Sequence, residues 1–496
     1  MVLFSCPLQS PTSPALLDKR HMEQNFPPVE QLQYIKNGAT NMYEDSISRH
    51  LGRFVSQLTY EHLSKDQIYK VKTYFLDWIG SAIAGQDQPP IKIMLEVVHS
   101  LGGKPESTVI PDSSRTMSLL AAMVNGASSH VVEMDDLHRE SIFHPAAAIM
   151  PAIFAMAERE HTPGRKLIPA IAAGYEVGVR IALAVGPSHY YYWHTTATCG
   201  TFGAAAGCAS ILGLDEERVA WALGSAGTQA AGLWEFLVES AMSKQLHAGK
   251  AALNGVLSAL LAQKGFTGAQ RILEGKKGFF RATSREFDES KCLKGLGKEF
   301  LFERNSLKYH ASCGHTHSAI DATLDATGKR SIMPDDIQEV KVYIYQEALD
   351  LLREVKPETP YLAKFSLPFC IAMALKYGHV EFTDFSTSRL KHPDIIQLMR
   401  KITLHSDSEF TRAYPNKWPA RVEVITRDGI TLKGTSDYPK GDPENPLSEE
   451  ELFKKFKTLT DGLISRTASE TIIERAMNLE VISDVGKFFL DTEKDY

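Results

Sequence analysis

The stretch LIPAIAAGYEVGVRIALAVG, from Leu167 to Gly186, decides what kind of fold this chain can have. It is long and apolar enough to cross a bilayer, yet Glu176 and Arg180 lie four residues apart, where one helical turn lets their charges neutralise each other. The stretch is therefore expected to be a buried central helix of a water-soluble protein. Outward from it, residues of about 45 to 290 carry apolar side chains at three- and four-residue steps, as in ISRHLGRFVSQL (from Ile47) and DQIYKVKTYFLDWIGSAIAG (from Asp66). CGTFGAAAGCASILG (from Cys199) and GSAGTQAAG (from Gly224) are rich in small residues, which lets helix backbones approach closely.

After about residue 300 the pattern changes. IQEVKVYIY, Ile337 to Tyr345, alternates as a strand, and RVEVITRDGITLKGT, from Arg421, places Asp428-Gly429 between two alternating runs, a hairpin signal. KFSLPFCIAMALKYG, from Lys364, is expected to be a helix between them. PLSEEELFKKFKTL then returns to helix, with Ser448 and Glu451 in capping-box spacing. The expected organisation is a tail over 1–44, a helical domain over 45–304, a smaller α+β lobe over 305–443, and helices over 444–496 that pack back on the first part. The fold class is mainly α.

With 496 residues and a net charge of -6 from 54 basic and 60 acidic side chains, the chain has no basic field suited to nucleic acid, while a local cationic cluster could still hold a small anion. No membrane role is expected. Six cysteines without paired spacing suit a reducing compartment. The N-terminus, rich in Ser and Pro, lacks a secretory pattern and reads as a disordered tail. An intracellular, cytoplasmic location is expected, with a mitochondrial one as the alternative.

Four stretches could carry chemistry. In EMDDLHRESIFHP, Glu133 to Pro145, the adjacent Asp135 and Asp136 must point different ways, and a carboxylate near His138 or His144 could exchange protons with a substrate, or the stretch could be a solvated loop. In YYYWHTTATCGTFG, from Tyr190, His194 precedes Thr195 and Thr196 at a helix start, suited to a carboxylate or simply a capped helix. In SKQLHAGKAALNG, Lys244 and His247 share a helix face, where both meet one anion or both face water. LKYHASCGHTHSAIDA offers His310, Cys313, His315 and His317 as zinc ligands, although their spacing matches no standard zinc arrangement.

Together these stretches resemble the MmgE/PrpD family, which includes 2-methylcitrate dehydratases and cis-aconitate decarboxylases. The resemblance rests on LDWIGSAIAG (from Leu76), NGASSHVVEMDDLH (from Asn125), WHTTATCGTFGAAA (from Trp193), SKQLHAGKAALNG, SCGHTHSAIDA (from Ser312) and AKFSLPF (from Ala363), in that order. It implies an all-helical domain built from both ends of the chain, an inserted α+β lid, a homodimer, and neither a metal nor an organic cofactor. It also implies a site between domain and lid that contains Asp135, His144, His194 and Lys244 as catalytic residues. Cys313, His315 and His317 would approach from the lid side, and Thr195, Thr196 and His247 would help hold carboxylates. The implied activity is a lyase acting on a di- or tricarboxylic acid, most simply dehydration of an alkylcitrate-like substrate. Decarboxylation of cis-aconitate, epimerisation, and a non-catalytic carboxylate-binding protein are the alternatives. The short spacing between the acidic pair and His144 is nearer the decarboxylases, whereas AKFSLPF is not, and His310 stands where many members have tyrosine.

Overall fold

The computed structural model describes residues 45–239, 241–328, 330–352 and 357–490. The expected tail over 1–44, and Cys6 within it, lie outside them. The protein is mainly helical, and from Ser46 onward it forms one compact unit.

Leu167 to Val185 falls within the helix Gly164–Val185, which is buried along almost its whole length. Arg180 Nε lies 2.9 Å from Glu176 Oε2, with both side chains fully buried. Arg180 also donates to the carbonyls of Lys294 (2.7 Å) and Glu299 (2.8 Å), and Glu176 accepts the Phe302 N–H at 2.8 Å. A buried ion pair is tolerated when its remaining hydrogen-bonding capacity is used in this way. Thus the apolar helix is the core of the protein, despite being long enough for a membrane span.

Thr195–Ile211 and Pro145–Arg159 pack on it, Ser243–Gln263 packs on both of these helices, and Ser118–Val131 packs on Pro145–Arg159 and Ser243–Gln263. Their small residues are required: a Cβ on Gly255 would sit 2.3 Å from the Ala204 methyl. Two helices near the C-terminus, Glu449–Thr460 and Arg466–Met477, pack on Lys65–Ala84. The first of them begins with the Ser448/Glu451 capping box.

A four-stranded sheet of order β6-β5-β7-β8 joins β5 (Ile337–Ile344), β6 (Ile402–Ser406), β7 (Ala420–Thr426) and β8 (Thr431–Ser436). β5 and β6 are parallel and the other pairs antiparallel, with the expected hairpin between β7 and β8. The helix Gly314–Thr327 lies on β7 and β8, and Leu367–Tyr377 packs on that helix.

Two strand pairs that the sequence pattern did not indicate lie within the helical stretch or join it to the segment that follows. β1 (Ser107–Val109) pairs with β2 (Ser114–Thr116), and β3 (Leu137–His138) pairs with β4 (Asn305–Ser306). Strands of two or three residues are too short for alternation to register. The β3–β4 pair matters for function, because it fastens the loop after the acidic pair to the segment that carries Lys308 and Cys313.

Candidate active site

The helix Ser118–Val131 delivers His130 at its end, and the chain then turns sharply at Glu133, whose φ is 59°. A left-handed conformation at a residue with a bulky side chain costs about 1–3 kcal/mol and persists only where its surroundings enforce it. Three lysines enforce it by gripping three successive carbonyls. Lys364 donates to Val132 O (2.6 Å), Lys308 to Glu133 O (3.2 Å) and Lys455 to Met134 O (2.9 Å).

The turn aims the two aspartates apart, as their adjacency requires. Asp136 faces the protein interior and accepts from Ala146 N (2.8 Å), Tyr175 Oη (2.8 Å) and Asn305 Nδ2 (2.5 Å). It thereby caps the helix Pro145–Arg159, and burial raises its carboxyl to about 7. Asp135 Oδ2 lies 2.7 Å from His130 Nδ1 and 3.4 Å from His144 Nδ1. Burial opposes ionisation of Asp135, but the neighbouring His130 and His144 outweigh it and hold the carboxyl below its ordinary range. Its Oδ1 is buried and has no hydrogen bond, with Lys308 Nζ 4.0 Å away.

The tautomer of His144 follows from its contacts. Its Nδ1 lies 2.7 Å from the backbone carbonyl oxygen of Asp136, which can only accept. Nδ1 therefore carries the hydrogen, and neutral His144 keeps its lone pair on Nε2. Burial pushes the imidazole down to about 3, so the neutral form is the one present at neutral pH. The His144 backbone N–H donates to Thr196 Oγ1 at 3.2 Å, which uses that hydroxyl to fix the loop.

His194 is the N-cap residue of the helix Thr195–Ile211. Its Nδ1 is 3.2 Å from His247 Nδ1, and its ring stacks on His130 with centroids 5.5 Å apart. Burial, and then the neighbouring cations and rings, hold His194 well below its usual value. Lys244 forms an ion pair with Glu133 Oε1, and Lys308 lies 3.3 Å from Glu133 Oε2. Burial would lower Lys244 and raise Glu133, and their mutual attraction reverses both shifts.

His144, His194, Lys244, Lys308, Glu133 and His315 line one cavity of about 40 Å³, with Cys313 at its edge. Its other half is apolar, formed by Tyr190, Trp234, Phe236, Leu351 and Phe365. Of the residues singled out in the sequence, His144, His194, Lys244, Cys313 and His315 border this cavity directly. Asp135 reaches it through His144. Thr195, Thr196 and His247 stand behind the wall: Thr195 is buried at the helix start, Thr196 binds the His144 backbone, and His247 backs His194. His317 faces away, with Nε2 3.2 Å from Ser312 O, and borders a separate crevice with Arg139 and Asp442.

The zinc combination of His310, Cys313, His315 and His317 is not assembled. His310 bonds Asp321 (2.9 Å), and His315 stacks on Trp418 at 4.3 Å with Nδ1 2.7 Å from Tyr345 Oη. A different set of possible ligand atoms, from His130, Asp135 and His144, lies within 4.8 Å, with Nδ1 of both rings already hydrogen bonded. The sequence pattern does not single out His130, Glu133, Trp234, Phe236, Leu351 or Phe365 as site residues, whereas Lys308 lies in the fourth candidate stretch and Tyr190 belongs to an aromatic run that could line an apolar pocket or simply pack at a helix start. His130 and Glu133 lay inside quoted motifs, but their roles depend on the turn at residue 133 and carried no spacing signal.

These features define a helical protein with a buried cleft in which three imidazoles and two ammonium groups, drawn from distant parts of the chain, face one small cavity. The chain belongs to the MmgE/PrpD family: residues 49–291 match the MmgE/PrpD N-terminal domain and residues 310–480 the MmgE/PrpD C-terminal domain. It is 26% identical over 475 residues to the cis-aconitate decarboxylase of Aspergillus terreus, covering 91% of this chain and 96% of that one. It is likewise 26% identical over 469 residues to a cis-aconitate decarboxylase-like protein of Aspergillus oryzae (90% and 96% covered). The human cis-aconitate decarboxylase is 25% identical over 458 residues (88% and 93% covered). Decarboxylases are lyases, and the similarity supports a lyase without distinguishing carbon–oxygen from carbon–carbon cleavage.

Proposed function

We propose that the protein is a cofactor-independent lyase that dehydrates a citrate-type or alkylcitrate-type acid. The observation that carries this reading is that two histidines, each held by its own support, border the same cavity as two lysines. Dehydration needs two proton transfers, one from the carbon α to a carboxylate and one to the departing hydroxyl. His144, with Nδ1–H held by the Asp136 carbonyl and Nε2 unprotonated, is suited to the first, and the Asp135 carboxylate beside the ring would stabilise the imidazolium that forms. His194 is suited to the second, and substrate carboxylates would raise its proton affinity on arrival. Lys244 and Lys308 would neutralise the carboxylates and the charge that develops on one of them as the α proton leaves. The apolar half would take an alkyl substituent. Because a cavity of about 40 Å³ holds only a few water molecules, the α+β segment over 305–443 would act as a lid that opens to admit the substrate.

Decarboxylation of cis-aconitate is the second reading, favoured by the activity named for the relatives. In that reaction the apolar wall would desolvate the departing carboxylate, and one histidine would protonate the carbanion. The test is incubation with citrate, 2-methylcitrate, longer alkylcitrates and cis-aconitate, following enoate absorbance and carbon dioxide together. Absorbance gain without gas supports dehydration, gas from cis-aconitate establishes the second reading, and silence with every acid refutes both.

A further inference from the structure

A cleft built to bind a polyanion would be expected to leave its cations free. Here the two lysines that border the cavity are both occupied by a carboxylate of the protein itself. Glu133 is buried, lines the cavity, and directs one oxygen to Lys244 and the other to Lys308. It is fixed there by a left-handed turn whose three carbonyls are gripped by lysines from three separate segments. With Asp135 counted, two carboxylates balance the two lysines before any ligand arrives.

We propose that Glu133 is a resident counter-anion and the specificity-determining residue of this cleft: a ligand carboxylate must share the lysines that Glu133 holds, so Glu133 limits how many negative charges a bound acid can carry. This rests on the carboxylate reading given above. Glu133 repels every negative charge on the ligand, and at about 6 Å in an effective dielectric of about 20 one such repulsion is worth roughly a hundredfold in affinity. Loss of its charge therefore favours a three-charge acid more than a two-charge acid of similar length. It would also change a discriminating cleft into a general anion trap.

The experiment compares tricarballylate, with three carboxylates, and glutarate, with two, by titration calorimetry at about pH 8, where both are fully ionised. Neither has the hydroxyl or double bond that the proposed reactions need, so binding is read without turnover. In Glu133→Gln both ligands should bind more tightly, and tricarballylate should gain at least about threefold more than glutarate. Should that variant fail to fold, Glu133→Ala purified with acetate provides the same reading. Acetate should restore the wild-type ratio of the two affinities, and its removal should shift the ratio toward tricarballylate. A purely structural role for Glu133 would weaken both ligands alike. An unmoved ratio, or uniform weakening, overturns the proposal. If the wild-type protein binds both acids and only the ratio fails to move, the fault lies in the role of Glu133. If it binds neither, the carboxylate reading itself fails and takes this inference with it.

Discussion

Replacement of Lys244 by methionine tests how the cleft holds its ligand, because methionine keeps the aliphatic stem and removes only the charge. In the folded protein Lys244 pairs with Glu133 Oε1 while Lys308 stands 3.3 Å from Oε2. Two consequences follow when Lys244 is neutralised. Its own attraction for a ligand carboxylate disappears, which at about 4 Å and an effective dielectric of about 20 is roughly 4 kcal/mol before the loss of ligand solvation is counted. Glu133 then turns wholly to Lys308, which withdraws the second cation as well. Truncating one partner of a buried charged pair typically costs about 2–4 kcal/mol of binding, and a weakening of tricarballylate by roughly thirtyfold to a thousandfold is expected. Fluorescence of Trp234, which lines the cavity, gives the dissociation constant directly. The double variant Lys244→Met/Glu133→Gln should recover part of the lost affinity, since Lys308 is then released to the ligand. A folded Lys244→Met protein whose dissociation constant stays within about threefold of wild type would refute this account of the cleft.

Two further outcomes concern protons and stability. Because kcat/KM reports the free enzyme and burial holds His144 at about 3 there, its acid limb, corrected for ionisation of the substrate, should fall below about pH 5; a limb near 6.5 would mean that a different imidazole acts as the base. His144→Gln should abolish turnover while tricarballylate still binds, and loss of both together would demote His144 to a structural residue. Asp136 should matter to stability: its folded value is raised to about 7 from 3.8, so its contribution is fully present below about pH 4 and is lost as pH rises through about 7. Asp136→Asn should therefore flatten the decline in wild-type unfolding free energy over that interval. It should also lower stability by roughly 1–3 kcal/mol through the three donors it leaves poorly matched, both read by urea unfolding.

What could be read in the sequence was whatever depends on local period or adjacency. The buried helix around Glu176 and Arg180, the hairpin at Asp428-Gly429 and the capping box at Ser448 each follow from interactions within a few residues, and each is found. The opposed directions of Asp135 and Asp136 follow for the same reason. What was hidden depends on contacts between remote segments. No local period or spacing marks what Lys364, within AKFSLPF, or Lys455 will touch, yet with Lys308 they hold three consecutive carbonyls around Glu133. The same separation explains the threonines and His247. A helix start rich in hydroxyls is a sound place to expect a bound carboxylate, but here Thr196 is used by the His144 backbone and His247 by His194, so their influence on a ligand passes through the two histidines.

This arrangement makes the turn at residue 133 the structural pivot of the cleft. The lysines that grip it come from before the sheet, from the segment between β5 and β6, and from a helix near the C-terminus. Any displacement of the 305–443 segment to admit a ligand would pull on Lys308 and Lys364, and hence on the carbonyls flanking Glu133. The backbone of Glu133 is already in an unfavourable conformation and would relax once released. Opening would thus loosen the internal counter-anion at the moment a ligand carboxylate needs its lysines, and closure would rebuild the turn around the bound acid. In such an opening, coupling between access and charge would arise from one strained residue held by remote cations, with no separate signalling element.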